Sequence, residues 1–161
     1  YLVSIEGKTA SLFTTSARIG GLVAGHDADV VNALTNYGTA FGMVFQIVDD
    51  ILDVIATDAE LGKRAGHDMA EGVYTLPVLL TLAQQSSDSD ELRSFLGKPL
   101  SQTERERALV IVRAHAGIQS AIESANNYVH MAETECDHMP QGVVTDALRA
   151  APAALLASII R

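Results

Sequence analysis

The sequence has no tryptophan, a single cysteine (Cys136), four prolines and only 5% aromatic residues. One cysteine excludes an intrachain disulfide and a zinc site built on cysteine pairs, and a reducing, cytoplasmic setting is the simplest expectation. Lysine and arginine number 11 against 20 acidic residues, giving a net charge of −9, and the basic residues are scattered. That balance argues against a nucleic-acid-binding surface, because phosphate neutralisation needs clustered cations. An anionic small-molecule ligand would need a cation to bridge it. No apolar run reaches the roughly 18–20 residues that an integral membrane helix requires. The best stretches, 38–48 and 150–160, read as core. Strand-like alternation of useful length is missing as well, which removes the signal for a sheet.

What remains is a chain of 161 residues, 48% hydrophobic and without low-complexity stretches, the size of one all-helical domain spanning 1–161. Leu2, Ile5, Leu12, Phe13, Ile19 and Leu22 fit a 3.6-residue period and predict one helix over 1–24, stopped by the glycines that follow. Asp27 or Asp29 can cap the next helix, which is apolar nearly all round over 30–55 and so reads as the buried central element. The polar stretch 57–74, punctuated by Gly62, Gly66 and Gly72, is too long and charged for a tight turn and is a candidate functional loop. Thr75-Leu76-Pro77 restarts a helix that runs to about Gln85. A serine- and aspartate-rich loop over 86–90 leads into a short helix over 91–96. Ser101-Gln102-Thr103-Glu104 is a capping box for a helix over 104–116. Helices over 118–139 and 143–161 complete the chain, the last one kinked or restarted at Pro152. The expectation is an all-α bundle of mostly antiparallel helices.

One run stands out against this background. Asp49-Asp50-Ile51-Leu52-Asp53 lies in an otherwise apolar helix, and no lysine or arginine occurs between Arg18 and Lys63. Asp49 and Asp53 share a helix face, Asp50 lies about 100° around from Asp49, and Gln46 is one turn earlier. Three carboxylates within two turns repel one another where little water screens them. Two readings follow. The acids form a solvated face or pair with distant basic residues, or they hold a hard divalent ion such as Mg²⁺, which accepts one or two carboxylates and keeps water and phosphate oxygens as its other ligands. An EF-hand is excluded by the spacing, and Gly7-Lys8-Thr9 is not a P-loop, since the upstream glycine would fall at Leu2 and no strand precedes it. His26, His67, His115, His130 and His138 show no metal-ligand spacing.

Phe45-Gln46-Ile47-Val48-Asp49-Asp50-Ile51-Leu52-Asp53, then Gly62-Lys63-Arg64-Ala65-Gly66-His67-Asp68, then Glu71-Gly72-Val73-Tyr74-Thr75-Leu76-Pro77, resemble in order the second aspartate-rich motif and following loop of the trans-isoprenyl diphosphate synthases, the polyprenyl synthetases. Glu6-Gly7-Lys8-Thr9 is similar to that family's upstream GKT segment, so the motifs extend from Tyr1 to about Leu82. The resemblance implies the isoprenoid synthase fold. It also implies a prenyltransferase that condenses an allylic prenyl diphosphate with isopentenyl diphosphate. By this resemblance Asp49, Asp50 and Asp53 ligate Mg²⁺, directly or through water. Lys8 and Lys63 bind the allylic diphosphate, Thr9 sits beside the reacting carbon, and Gln46 orients the acids or the diphosphate; Lys8, Thr9, Gln46 and Asp49 form the catalytic set.

The family usually has lysine where Val73 stands, and its first aspartate motif lies upstream of the GKT segment. The chain, which opens on Tyr1 in mid-pattern, therefore reads as the C-terminal part of a longer synthase, inactive alone. A homodimer, or association with the missing N-terminal half, is expected. The alternatives are a noncatalytic subunit that acts by helix packing with a partner, and a terpene cyclase, which does not usually carry the Gly62-Lys63 and Thr75-Leu76-Pro77 sequences.

Overall fold

In the computed structural model, which describes residues 1–57 and 65–159, every regular element is helical and no strand occurs among the described residues. Two compact units are present: Tyr1–Val48 with the chain from Glu123 onward, and Asp49–Ile122.

The first unit opens on α1 (Leu2–Ile5), continues through a π-helical turn (Glu6–Ala10) and enters α2 (Ser11–Val23). The turn is widened where the Ser11 N–H donates to the Glu6 carbonyl, five residues back, while the Ser11 hydroxyl takes the Gly7 carbonyl at 2.7 Å. A single unbroken helix over 1–24 was the expectation, and the π turn changes its facing. Buried positions step from Ile5 to Ala10 rather than to residue 9, and the inner face of α2 then carries small residues such as Gly21. Leu12, Ile19 and Leu22, the apolar positions that marked the helix, are exposed instead.

The helix α3 (Ala28–Ile55) begins where Asp27 accepts the Val30 N–H at 3.0 Å, which decides between the two candidate caps. Its packing on α2 is set by glycine. A Cβ placed on Gly42 would come within 2.6 Å of Ala10 Cα, and one on Gly38 within 2.7 Å of the Phe13 carbonyl oxygen. Residue numbers rise on one helix as they fall on the other, from Ala10 opposite Gly42 through Thr14 bonded to Thr39 at 2.7 Å to Gly21 against Val31 and Leu34, so the two helices are antiparallel. On another face of α3, Ala33, Tyr37 and Ala40 pack with Ala132, Cys136 and Met139. There the Tyr37 hydroxyl donates to the Leu148 carbonyl at 2.8 Å, and burial pushes its pKa up to about 12, so it stays protonated and keeps the bond.

The second unit contains the acidic end of α3 followed by α4 (His67–Ala70), α5 (Leu76–Leu82), α6 (Ser87–Phe95), α7 (Gln102–Ala114) and the start of α8 (Gly117–Glu135). The polar stretch expected to be all loop thus contains a helical turn, α4. Serine caps place the next two helices earlier than expected: Ser86 caps α6, so residues 87–90 are its first turn, and the Ser101–Glu104 capping box starts α7 at Gln102. Leu92, Ile111 and Val112 are fully buried with Val54, Met69 and Val78. The chain then completes the first unit with a 3₁₀ turn (Cys136–His138) and α9 (Val143–Ala157), which continues through Pro152.

Arginines from distant elements close three helix C-termini, where carbonyls lack intrahelical partners. Arg93 reaches Leu82 at the end of α5, Arg113 reaches Val54 at the end of α3, and Arg149 reaches Glu133 near the end of α8. Each guanidinium also complements the negative end of a helix dipole.

Candidate functional site

The acidic run occupies the last two turns of α3, where the helix dipole is negative and no basic residue of the helix itself compensates it. The carboxylates differ in environment. Asp49 is exposed, whereas Asp50 is 1% and Asp53 3% exposed. The reading of all three as a solvated face is therefore corrected: helical rotation and the packing of Val54 and Ile51 carry two of them inward.

The chain returns to this helix end after the stretch 58–64. Gly66, at φ 69° in the left-handed region, donates its N–H to the Asp53 carbonyl at 2.7 Å. The Asp68 N–H reaches Asp53 Oδ2 at 3.3 Å. Asp68 thus contributes its backbone to the acidic end. Arg113 adds a further restraint, with Nε donating to the Val54 carbonyl at 2.7 Å and a guanidinium nitrogen 3.5 Å from the Ala56 carbonyl. Arg113 brings the cationic charge that the sequence around the acids lacks. No local signal could have found it, since it lies 59 residues away in sequence on another helix. Val73 is half-exposed, with its N–H donated to the Asp68 carbonyl at 2.8 Å.

In the first unit, Thr9 and Gln46 are brought together across the antiparallel pair: the Thr9 hydroxyl donates to Gln46 Oε1 at 2.7 Å. The π turn is what brings Thr9 round to Gln46, one residue out of the register an unbroken helix would give, and π turns recur at functional positions. This bond to the amide oxygen fixes the orientation of the Gln46 side chain. Lys8 is exposed on the same turn. Lys63 lies outside the described residues.

The chemistry of the donor set suits a hard cation. Among the described residues no three histidine, cysteine, aspartate or glutamate side chains are grouped to hold one ion. Mg²⁺ in phosphate sites takes one or two carboxylates, with water and phosphate oxygens as its other ligands. His115 pairs with Asp88 at 3.0 Å and His130 with Glu133 at 3.3 Å. No helix among the described residues is long and apolar enough to cross a membrane.

Residues 1–112 match the family model described as polyprenyl synthetase. The chain is 41% identical over 142 residues to the geranylgeranyl diphosphate synthase of Saccharolobus solfataricus, covering 87% of this chain and 42% of that protein. It is 31% identical to heptaprenyl diphosphate synthase component 2 of Bacillus subtilis over 150 residues, 93% of this chain and 42% of that protein. Among solved structures, the geranylgeranyl pyrophosphate synthase of Corynebacterium glutamicum complexed with calcium and isoprenyl diphosphate superposes with a TM-score of 0.91 at 34% identity, over 99% of this chain and 50% of that one. The polyprenyl synthase of Caulobacter crescentus, also complexed with calcium and isoprenyl diphosphate, gives 0.90 at 30% identity, over 97% and 48%. The chain spans about half the length of the relatives it matches.

Proposed function

The chain belongs to the polyprenyl synthetase family, and from that premise we propose that it supplies one half of the site of a prenyl diphosphate synthase, the half that holds the allylic diphosphate. The observation that carries this reading is the acidic end of α3, with one exposed and two buried carboxylates at the negative end of a helix dipole. Such an end favours a cation, and a cation there gives a diphosphate something to bind.

In the proposed reaction the allylic carbon–oxygen bond breaks and the diphosphate departs with the bonding pair. The double bond of isopentenyl diphosphate attacks the resulting allylic cation, and loss of a proton restores a neutral, longer prenyl chain. Mg²⁺, when bound, supplies charge neutralisation of the leaving diphosphate. Asp49, exposed, would hold the ion, with Asp50 and Asp53 acting through water. Lys8 would bind the diphosphate as a point charge, and Lys63 would add a second. Gln46, held by Thr9, would orient the acids or the diphosphate, and Thr9 would border the reacting carbon. Arg113 and the Gly66–Asp68 backbone keep the helix end in place, so the acids need little rearrangement as charge develops. The calcium and isoprenyl diphosphate named for the Corynebacterium glutamicum and Caulobacter crescentus structures support a divalent-ion site.

The names of two relatives, each component 2 of a heptaprenyl diphosphate synthase, favour a second reading, in which the chain works only as a subunit beside a partner chain. One experiment addresses both. The chain is co-expressed with the part of the Saccharolobus solfataricus enzyme that it does not match, and incorporation of labelled isopentenyl diphosphate into an allylic acceptor is followed with Mg²⁺ and with chelator. Mg²⁺-dependent product is expected from the pair and none from this chain alone. A stable one-to-one pair that forms no product with any divalent ion would overturn the catalytic reading and leave the subunit reading.

A further inference from the structure

Between the helical turn α4 and the start of α5 the chain runs through water: Glu71, Gly72 and Val73 are all exposed, and Gly72 takes the left-handed region at φ 81°. Backbone bonds make α4 and this stretch one compact piece. Glu71 donates its N–H to the His67 carbonyl at 3.0 Å, Gly72 to that of Met69 at 3.1 Å, and Val73 to that of Asp68 at 2.8 Å. Met69 buries the middle of the piece in the core. One edge is fixed to the acidic end of α3, through the Gly66 and Asp68 N–H groups on Asp53. The other edge is fixed by Tyr74. Its ring packs on the cluster that contains Val54, Leu109 and Val112. Its hydroxyl accepts the Gly97 N–H at 2.6 Å, at the corner between α6 and α7. Gly97, at φ 79°, follows the C-cap of α6, where a helix end favours glycine.

We infer that Tyr74 is a positioning residue of the proposed metal site: its hydroxyl, anchored on Gly97, holds the α4 piece, and the Gly66 and Asp68 N–H groups of that piece hold Asp53. The inference rests on the reading of the acidic end of α3 as a site for a divalent ion and a diphosphate. It adds a side chain that touches neither. Asp53 is 3% exposed and receives an amide N–H on its carboxylate, so where its oxygens sit depends on where that amide sits. Partners one step removed from a metal set the orientation of the groups that act on it. An amide can do this only if its own backbone is fixed, and a short turn with exposed side chains supplies little restraint of its own. The Tyr74–Gly97 bond supplies it from a corner between two packed helices.

Tyr74→Phe tests this, because it keeps the ring in the core and removes only the hydroxyl. Without metal or diphosphate, hydrogen exchange at the Asp68 and Val73 amides is expected to speed by about two- to tenfold, the range for losing one hydrogen bond. Inorganic diphosphate is then titrated calorimetrically into the 161-residue chain over a series of Mg²⁺ concentrations. The Mg²⁺ midpoint for diphosphate binding is expected to rise by a similar factor in Tyr74→Phe, with the unsubstituted affinity regained at saturating Mg²⁺. Tyr37→Phe is the control, since it removes the Tyr37–Leu148 bond in the other unit: the urea midpoint should fall and the Mg²⁺ midpoint stay put. Unchanged exchange at Asp68 and Val73 would overturn the tether. Faster exchange with an unchanged Mg²⁺ midpoint, or an equal shift of that midpoint in Tyr37→Phe, would overturn the positioning role. Absence of Mg²⁺-dependent binding in the unsubstituted chain would overturn the metal site itself, a failure told apart from the others because it needs no substitution to appear.

Discussion

Asp49→Ala is expected to lower prenyl-transfer turnover by roughly a hundred- to a thousandfold in the assembled pair, the usual cost of removing one group that stabilises developing charge. Asp49 is the exposed acid of the run, so its loss leaves the packing around Asp50 and Asp53 in place and the helix content unchanged. The defect should fall on kcat more than on KM for isopentenyl diphosphate, because the charge is needed most as the allylic bond breaks. Steady-state rates and circular dichroism on the same preparations check both halves of the statement. Near-normal turnover in a folded Asp49→Ala pair would remove Asp49 from the proposed metal site.

Gly42→Val is expected to destabilise the chain by about 1–3 kcal/mol, the range for forcing added methyl groups into a closed contact. The side chain would meet Ala10 Cα at 2.6 Å and Phe13 Cδ2 at 3.1 Å, so a backbone has to move. The same displacement separates the π turn from α3 and should break the Thr9–Gln46 hydrogen bond. Gly20→Ala provides the opposite sign: nothing lies within 4 Å of the added Cβ, and replacing a mid-helix glycine should stabilise by about 0.5–1 kcal/mol. Urea midpoints for the two variants decide the matter, and a neutral Gly42→Val would mean that the helices are not held at glycine distance.

The helical class and most boundaries were legible because caps and periodicity are local. Asp27, Ser101 with Glu104, and Pro77 each announce a helix start within four residues. The acidic run was legible for the same reason, lying within two turns of one helix. The π turn was not, since one extra residue in a turn leaves no compositional mark, and it shifted the facing of α2 by one residue. Hydrophobic periodicity located that helix, but Leu12, Ile19 and Leu22 are exposed while Ala10 and Gly21 line the contact with α3. Arg113 was illegible because its role depends on α7 packing beside the end of α3. Burial of Asp50 and Asp53 likewise depends on tertiary neighbours, where the sequence could state only that the flanks are apolar.

The most direct test of the central claim is calorimetric titration of inorganic diphosphate into the 161-residue chain with Mg²⁺ and with chelator. Binding that requires Mg²⁺ and disappears in Asp49→Ala is the predicted result. Binding that is the same with and without the metal, or unchanged by Asp49→Ala, would contradict a diphosphate held through the acidic end of α3.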